Sequence, residues 1–144
     1  MKKFIILAST ILTLTACQQA VQPPPSKQPE PAGNDQIQIE SPLAHETISS
    51  PLTIKGEVRG YWMFEATFHV FLEDMEGNEI ANTPIMTSAN WMTEDFVPFE
   101  ETLTFSAGDA KEGKLIFRQH DASGPDEGPE PRSFEMPVRF SDER

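Results

Sequence analysis

Hydrophobic residues alternate with polar ones along most of the chain after residue 35, and no segment repeats them with a helical period. Ile37 and Ile39 alternate with polar residues in "QIQIE", and Leu52, Ile54 and Val58 do so in "LTIKGEV". Strict alternation is the pattern of a β-strand with one buried face. The first part of this region therefore predicts two strands.

The longest alternating run is "FEATFHVFLED", which predicts one strand that starts at Phe64. Its two faces would differ in polarity, with Phe64, Ala66, Phe68, Val70 and Leu72 on the inner face and Glu65, Thr67, His69 and Glu73 on the outer face. Further alternating rows follow at Phe99, Leu103 and Phe105, at Leu115 and Phe117, and at Phe134, Met136, Val138 and Phe140.

Turn residues separate these runs. Ser49-Ser50-Pro51 divides the first two, and Glu76-Gly77-Asn78 predicts a hairpin into a short strand over residues 80–86. Pro84 in that short strand indicates a sheet edge, because proline has no N–H to donate to a second neighbouring strand. The sequence predicts an all-β, immunoglobulin-like antiparallel β-sandwich of about seven strands. The chain has a single Cys, so the sandwich would form without a disulfide.

The N-terminus has the layout of a secretory signal. Lys2 and Lys3 precede an apolar run that is too short to span a bilayer. The run ends in Leu14-Thr15-Ala16-Cys17, which resembles a bacterial lipobox. This resemblance implies that residues 1–16 are a lipoprotein signal peptide and that Cys17 is lipidated.

The composition changes after Cys17. The segment 17–35 is rich in Pro and Gln and poor in large apolar residues, which is typical of an extended tether. We predict a lipid-anchored protein of the bacterial cell envelope, with residues 36–144 as its one folded domain. Gln18, rather than Asp, after the Cys favours the outer membrane if the cell is Gram-negative.

Charge and residue content exclude several classes of function. The formal net charge of −12 disfavours nucleic acid as a partner, since phosphates would be repelled. Lipidation of the single Cys would remove thiolate chemistry. His45, His69 and His120 lack the spacing of a metal site, so we expect neither an enzyme nor a cofactor.

Acidic loops give the alternative hypothesis, a calcium-binding or catalytic domain. Calcium prefers several oxygen ligands around a flexible loop, and the late loop offers Asp121, Asp126 and Glu127. The same loop also contains the atoms of a hydrolase triad in His120, Asp121 and Ser123, without a nucleophile elbow. Solvated acidic residues explain the loop equally simply.

Two aromatic clusters are the candidate binding surface. Tyr61-Trp62-Met63 comes just before the predicted Phe64 strand, and Trp91, Met92, Glu94 and Asp95 lie in "SANWMTEDFVPFE". Two interpretations are open at this stage. The aromatic rings either close one end of the core, or stand with the acidic residues as a surface for an envelope protein partner.

Several of these segments together resemble a known family. Gly56, the Phe64-Glu65-Ala66 step, residues 74–77 and the run from Trp91 to Phe99 are similar to the Gmad2 family, the immunoglobulin-like domain associated with bacterial spore germination proteins. The similarity covers nearly all of residues 36–140. It implies the immunoglobulin-like fold and a binding or scaffolding module, and it carries no established activity.

Overall fold

Nine β-strands form in the part of the chain that the computed structural model describes, residues 27–120 and 132–141. The strands are β1 (Glu30–Gly33), β2 (Ile37–Ala44), β3 (Thr47–Ile48), β4 (Leu52–Arg59), β5 (Thr67–Asp74), β6 (Glu79–Met86), β7 (Phe96–Leu103), β8 (Glu112–Arg118) and β9 (Ser133–Phe140). The only helical element in these residues is a single 3-10 turn, Gly60–Trp62. None of the helical structure found there is long and apolar enough to cross a membrane.

The strands form two sheets that face each other. One sheet has the order β1-β2-β4-β7 and the other β3-β9-β8-β5-β6, and every pairing is antiparallel except that of β3 with β9. The inward side chains of both sheets make one apolar core, in which Phe68 meets Phe99 edge-on with 5.2 Å between ring centroids. The predicted immunoglobulin-like sandwich is confirmed.

The alternation identifies the seven long strands, each of seven or eight residues. The two short strands, β1 and β3, were not predicted. Strand β1 lies within the segment assigned to the tether, so the ordered chain extends into that range. Its register with β2 is irregular between Glu30 and Ala32, and this short, mostly exposed strand carries no alternating pattern that the sequence could have revealed.

The predicted start of the longest strand at Phe64 is wrong. Strand β5 begins at Thr67, and Phe64 and Thr67 bond each other's backbone across a tight turn. Glu65 and Ala66 hold this turn in the left-handed region, with φ of 51° and 62°. The turn rotates Phe64 out of the core, and its side chain is 41% exposed.

Proline lies on both long edge strands. Pro84 in β6 pairs with His69, as the sequence predicts, and Pro98 in β7 pairs with Glu57. A proline on an edge strand leaves no N–H to offer to a further strand. Pairing of another chain along β6 or β7 is therefore interrupted in the middle of each edge.

The described chain enters the sandwich at the end opposite to the 3-10 turn. Arg139, next to the last residue of β9, donates to the Lys27 carbonyl at 3.0 Å and to the His45 carbonyl at 2.6 Å. Strand β1 then runs along β2 and reaches the 3-10 end at Gly33, which pairs with Gln38. Lys27, the first described residue, therefore lies at the end of the sandwich far from the 3-10 turn.

Ala66→Gly should stabilise the domain by about 1 kcal/mol, because glycine adopts a positive φ without the steric cost that Ala66 bears. The measurement is urea unfolding of the two proteins. Ala81→Gly is the matched control, since Ala81 lies inside β6 and glycine there should destabilise. Equal losses in both variants would contradict the assignment of the turn.

Candidate functional site

Among the described residues, five large apolar side chains are exposed, and four of them lie at one end of the sandwich. Tyr61 follows β4, Phe64 precedes β5, Met86 ends β6 and Met92 precedes β7, and their exposed fractions are 44%, 41%, 64% and 75%. We call these four side chains the apolar pole. They stand at the end of the sandwich opposite to the point where the described chain enters.

Trp62 does not contribute to this surface. Its side chain is 1% exposed, its ring meets Phe68 edge-on, and its indole N–H donates to the Gln36 side chain at 3.1 Å. A buried indole needs such an acceptor, and Gln36 provides it. Trp62 therefore closes the core, and its prediction as a contact residue is wrong because the 3-10 turn directs it inward.

In the segment "SANWMTEDFVPFE", some residues close the core and others are exposed at the surface, so each of the two open interpretations holds for part of it. Trp91 packs against the core and is half-buried, and Val97 and Phe99 are core residues. Met92, Glu94 and Asp95 are exposed. The same segment thus helps to close the sandwich and also presents an apolar side chain beside two carboxylates.

Gly60 allows this segment to lie directly on the 3-10 turn. A Cβ at Gly60 would stand 2.1 Å from the Thr93 carbonyl oxygen and 2.3 Å from that of Trp91, closer than any side chain tolerates. The Gly60 N–H donates to the Asp95 carbonyl at 3.1 Å. The absence of a side chain at Gly60 therefore determines how closely the segment around Met92 packs on the 3-10 turn.

Arg59 is the second anchor of the segment. Its guanidinium lies over the Phe96 ring at 4.0 Å and donates to the carbonyls of Asp35 and Glu94 at 3.1 and 3.2 Å. Thr93 adds a local bond, since its hydroxyl accepts from the Asp95 N–H at 3.2 Å. These contacts fix the backbone around Met92 before any partner arrives.

The opposite end of the sandwich is acidic and polar. The predicted hairpin is confirmed there: the Asp74 carboxylate accepts from the N–H groups of Glu76 and Asn78 and from the Asn78 side chain. The Asn78 side chain, followed by these N–H groups, lowers the pKa of Asp74. This carboxylate thus accepts hydrogen bonds within the turn. The hairpin therefore explains these residues better than a bound cation does.

The late loop lies outside the described residues, and with it Asp121, Asp126 and Glu127. Within the described residues, no group of three or more His, Cys, Asp or Glu side chains could hold a metal ion. His45, at the entry end, lies far from the other two histidines. His69 and His120, in contrast, are brought together, with 6.3 Å between ring centroids.

Sequence reasoning missed two members of the apolar pole. Phe64 appeared to continue a strand, and only the left-handed turn at Glu65 and Ala66 reveals its exposure. Met86 was part of a predicted strand whose sides were not assigned. The available signal was Pro84, because residues 84 and 86 of an edge strand share one face.

Two sheets that are antiparallel except for the β3–β9 pair, one shared core, a Greek-key-like strand order and no disulfide define an immunoglobulin-like β-sandwich. A family model described as the immunoglobulin-like domain of bacterial spore germination, Gmad2, matches residues 36–126, and the chain belongs to this family. The matched range includes the whole of β2 to β8 and the segment that carries Met92. Searches of curated proteins and of solved structures give no significant match.

Arg59→Ala should lower the free energy of unfolding by about 1–2 kcal/mol, since it removes two hydrogen bonds and one cation–π contact. Arg118→Ala is the matched control. Arg118 also lies over a ring, that of Phe71 at 4.6 Å, but its side chain makes no hydrogen bond or ion pair with the residues described here. Urea unfolding should place Arg118→Ala within about 0.5 kcal/mol of the parent. Equal losses would contradict the anchoring role of Arg59.

Proposed function

We propose that this protein is a non-enzymatic, lipid-anchored binding module of the bacterial cell envelope, whose apolar pole contacts a protein partner. The observation that carries the proposal is the apolar pole itself. Met92 is 75% exposed on a segment whose backbone is fixed by Gly60 and Arg59. A water-soluble domain gains nothing from holding such a side chain in solvent.

The fixed backbone supports binding in energetic terms. Association costs free energy whenever a loop must be ordered, and a segment that is already ordered avoids this cost. Aromatic residues and Met are enriched in protein interfaces, and the pole consists of Tyr61, Phe64, Met86 and Met92. Glu94 and Asp95 would lie at its polar rim and disfavour an acidic or anionic surface there.

Membrane attachment through Cys17 agrees with the position of the pole. The described chain enters at the end where Lys27 contacts Arg139, and the pole lies at the other end. A tether from Cys17 that arrives at the entry end would turn the pole away from the membrane. This orientation favours an envelope protein as partner over the lipid to which Cys17 would be attached.

A photo-crosslinking amino acid at position 92 should capture one defined protein in intact cells, because Met92 stands at the centre of the proposed contact. The matched control is the same amino acid at position 100. Glu100 is also exposed but lies on the outer face of the four-stranded sheet. The readout is the set of crosslinked bands, compared with and without irradiation.

The product at position 92 should disappear when Tyr61→Ser and Met86→Ser are added, since both remove apolar surface from the pole without touching the core. Identical products from positions 92 and 100, or a product that survives both substitutions, would contradict binding through the pole.

Cys17→Ser should release the protein from the membrane fraction, because the thiol to which the lipid would be attached is lost. Fractionation of cells followed by immunoblotting measures the distribution. Gln18→Ser, the neighbouring change, should leave the protein in the membrane fraction and controls for altered processing. Membrane retention of Cys17→Ser would refute the anchor, while the crosslinking result from position 92 would stand independently.

A further inference from the structure

The outer face of the five-stranded sheet carries rings and the guanidinium of Arg118 where a sandwich usually presents polar side chains. Val70 and Leu72 are fully buried in the core, so Phe71 between them points to the outer face. Ile116 is its partner across the ladder and lies between the core residues Leu115 and Phe117; it is only 4% exposed, although it does not belong to the core cluster. Both residues break the alternation of their strands in the same place.

A row of stacked rings continues from Phe71 toward the apolar pole. His69 stacks on Phe71 with 6.1 Å between ring centroids, His120 on His69 with 6.3 Å, and Phe64 on His120 with 5.1 Å. The interplanar angles are 29°, 29° and 14°. Arg118, opposite His69 in the ladder, lies over Phe71. We call these five residues the aromatic-basic face.

The polar atoms of this face have no partners among the described residues. The Arg118 guanidinium makes neither a hydrogen bond nor an ion pair there, and it is exposed. The imidazole nitrogens of His69 and His120 also make no hydrogen bond with described residues. The nearest ion pairs join Lys114 to Glu73 and to Glu135. Lys114 and Glu73 lie one step further along the sheet, and Glu135 pairs with Ile116 in the row of Phe71.

We propose that the aromatic-basic face binds a protein segment that carries a carboxylate next to apolar side chains. Stacking on Phe71 covers one face of the Arg118 guanidinium, and its N–H edge has no partner among the described residues. That edge matches a carboxylate through two parallel hydrogen bonds. Phe71, Phe64 and the neighbouring Met86 offer apolar surface to the rest of the segment.

Charge determines which carboxylate-bearing segment fits. The chain carries a net charge of −12, so a long acidic run would be repelled before it reached Arg118. A segment with one carboxylate and flanking apolar residues meets little of this repulsion. At 0.1 M salt the repulsion is also screened beyond about 10 Å, while the short contact with Arg118 is retained.

This surface is distinct from the contact proposed for Met92, although Phe64 belongs to both and Met86 of the pole adjoins it. The pole around Met92 has Glu94 and Asp95 at its rim, which disfavours a carboxylate. The aromatic-basic face has Arg118 and two imidazoles instead. The two surfaces therefore select different chemistry, and either can fail without the other.

The probe is a blocked five-residue peptide with one Glu between Phe and Leu, titrated at 0.1 M salt into the full chain carrying Cys17→Ser. The readout is the set of backbone N–H resonances of β5 and β8 by NMR, which the Arg118→Gln variant also carries. We expect the peptide to shift the resonances of His69 and Phe71, and Arg118→Gln to weaken binding about tenfold, as expected for the loss of a charge-assisted hydrogen bond.

Two controls are matched to the expected contacts. Lys55→Gln removes the same charge from the outer face of the other sheet and should change affinity less than about twofold. Phe71→Leu should weaken binding while Arg118 retains its charge, which separates the role of the ring from that of net charge.

Several outcomes would overturn the proposal. One is equal binding by the peptide with Gln in place of Glu. Another is full competition by inorganic phosphate at the same concentration, since phosphate makes no apolar contact. A third is weakening by Met92→Ser but not by Arg118→Gln, which would assign the peptide to the pole and leave the proposed function intact.

Discussion

The close approach of Gly60 to the segment before β7 is the constraint on which this end of the sandwich depends. No side chain fits between the Gly60 backbone and the carbonyls of Trp91 and Thr93. Because the two backbones touch, the 3-10 turn can direct Trp62 into the core while Trp91 covers it from outside. Met92 is then left at the surface by the same contact that closes the core.

The same segment thus closes the core and exposes Met92. Val97 and Phe99 point into the core. The contacts of Arg59 with Phe96 and Glu94 hold the part of the chain that leads into β7. The exposed positions, Met92, Glu94 and Asp95, contribute little to this packing. These side chains are not needed for stability, while their backbone is held by contacts that are. Such an arrangement suits a binding surface, because the backbone need not be ordered on association.

The fold was predictable because burial imposes a period of two on each long strand. Ile37, Ile54, Phe68 and Val138 are all core residues, and the alternation had already placed them there. The pattern could not reveal β1, because this short strand depends on pairing with β2 rather than on burial. It also failed at Phe64, because a left-handed turn formed by Glu65 and Ala66 has no glycine to signal it.

The candidate sites were predictable only in part. Exposure of Met92 was open in the sequence, and burial of Trp62 depended on the direction of the 3-10 turn. His69 and His120 are far apart in the chain, and only the pairing of β5 with β8 brings their rings together. Phe71 and Ile116 did carry a signal, since each is apolar at a position where alternation calls for a polar residue.

The exposed methionines allow the most direct test of the binding surface. Met86 and Met92 lie at the apolar pole, Met75 is 66% exposed at the opposite end, and Met63 and Met136 are buried. Oxidation by hydrogen peroxide, read by mass spectrometry, should modify Met75, Met86 and Met92 in the purified protein. In intact cells the account predicts that Met86 and Met92 are protected while Met75 still reacts. Equal oxidation of all three in cells would contradict it.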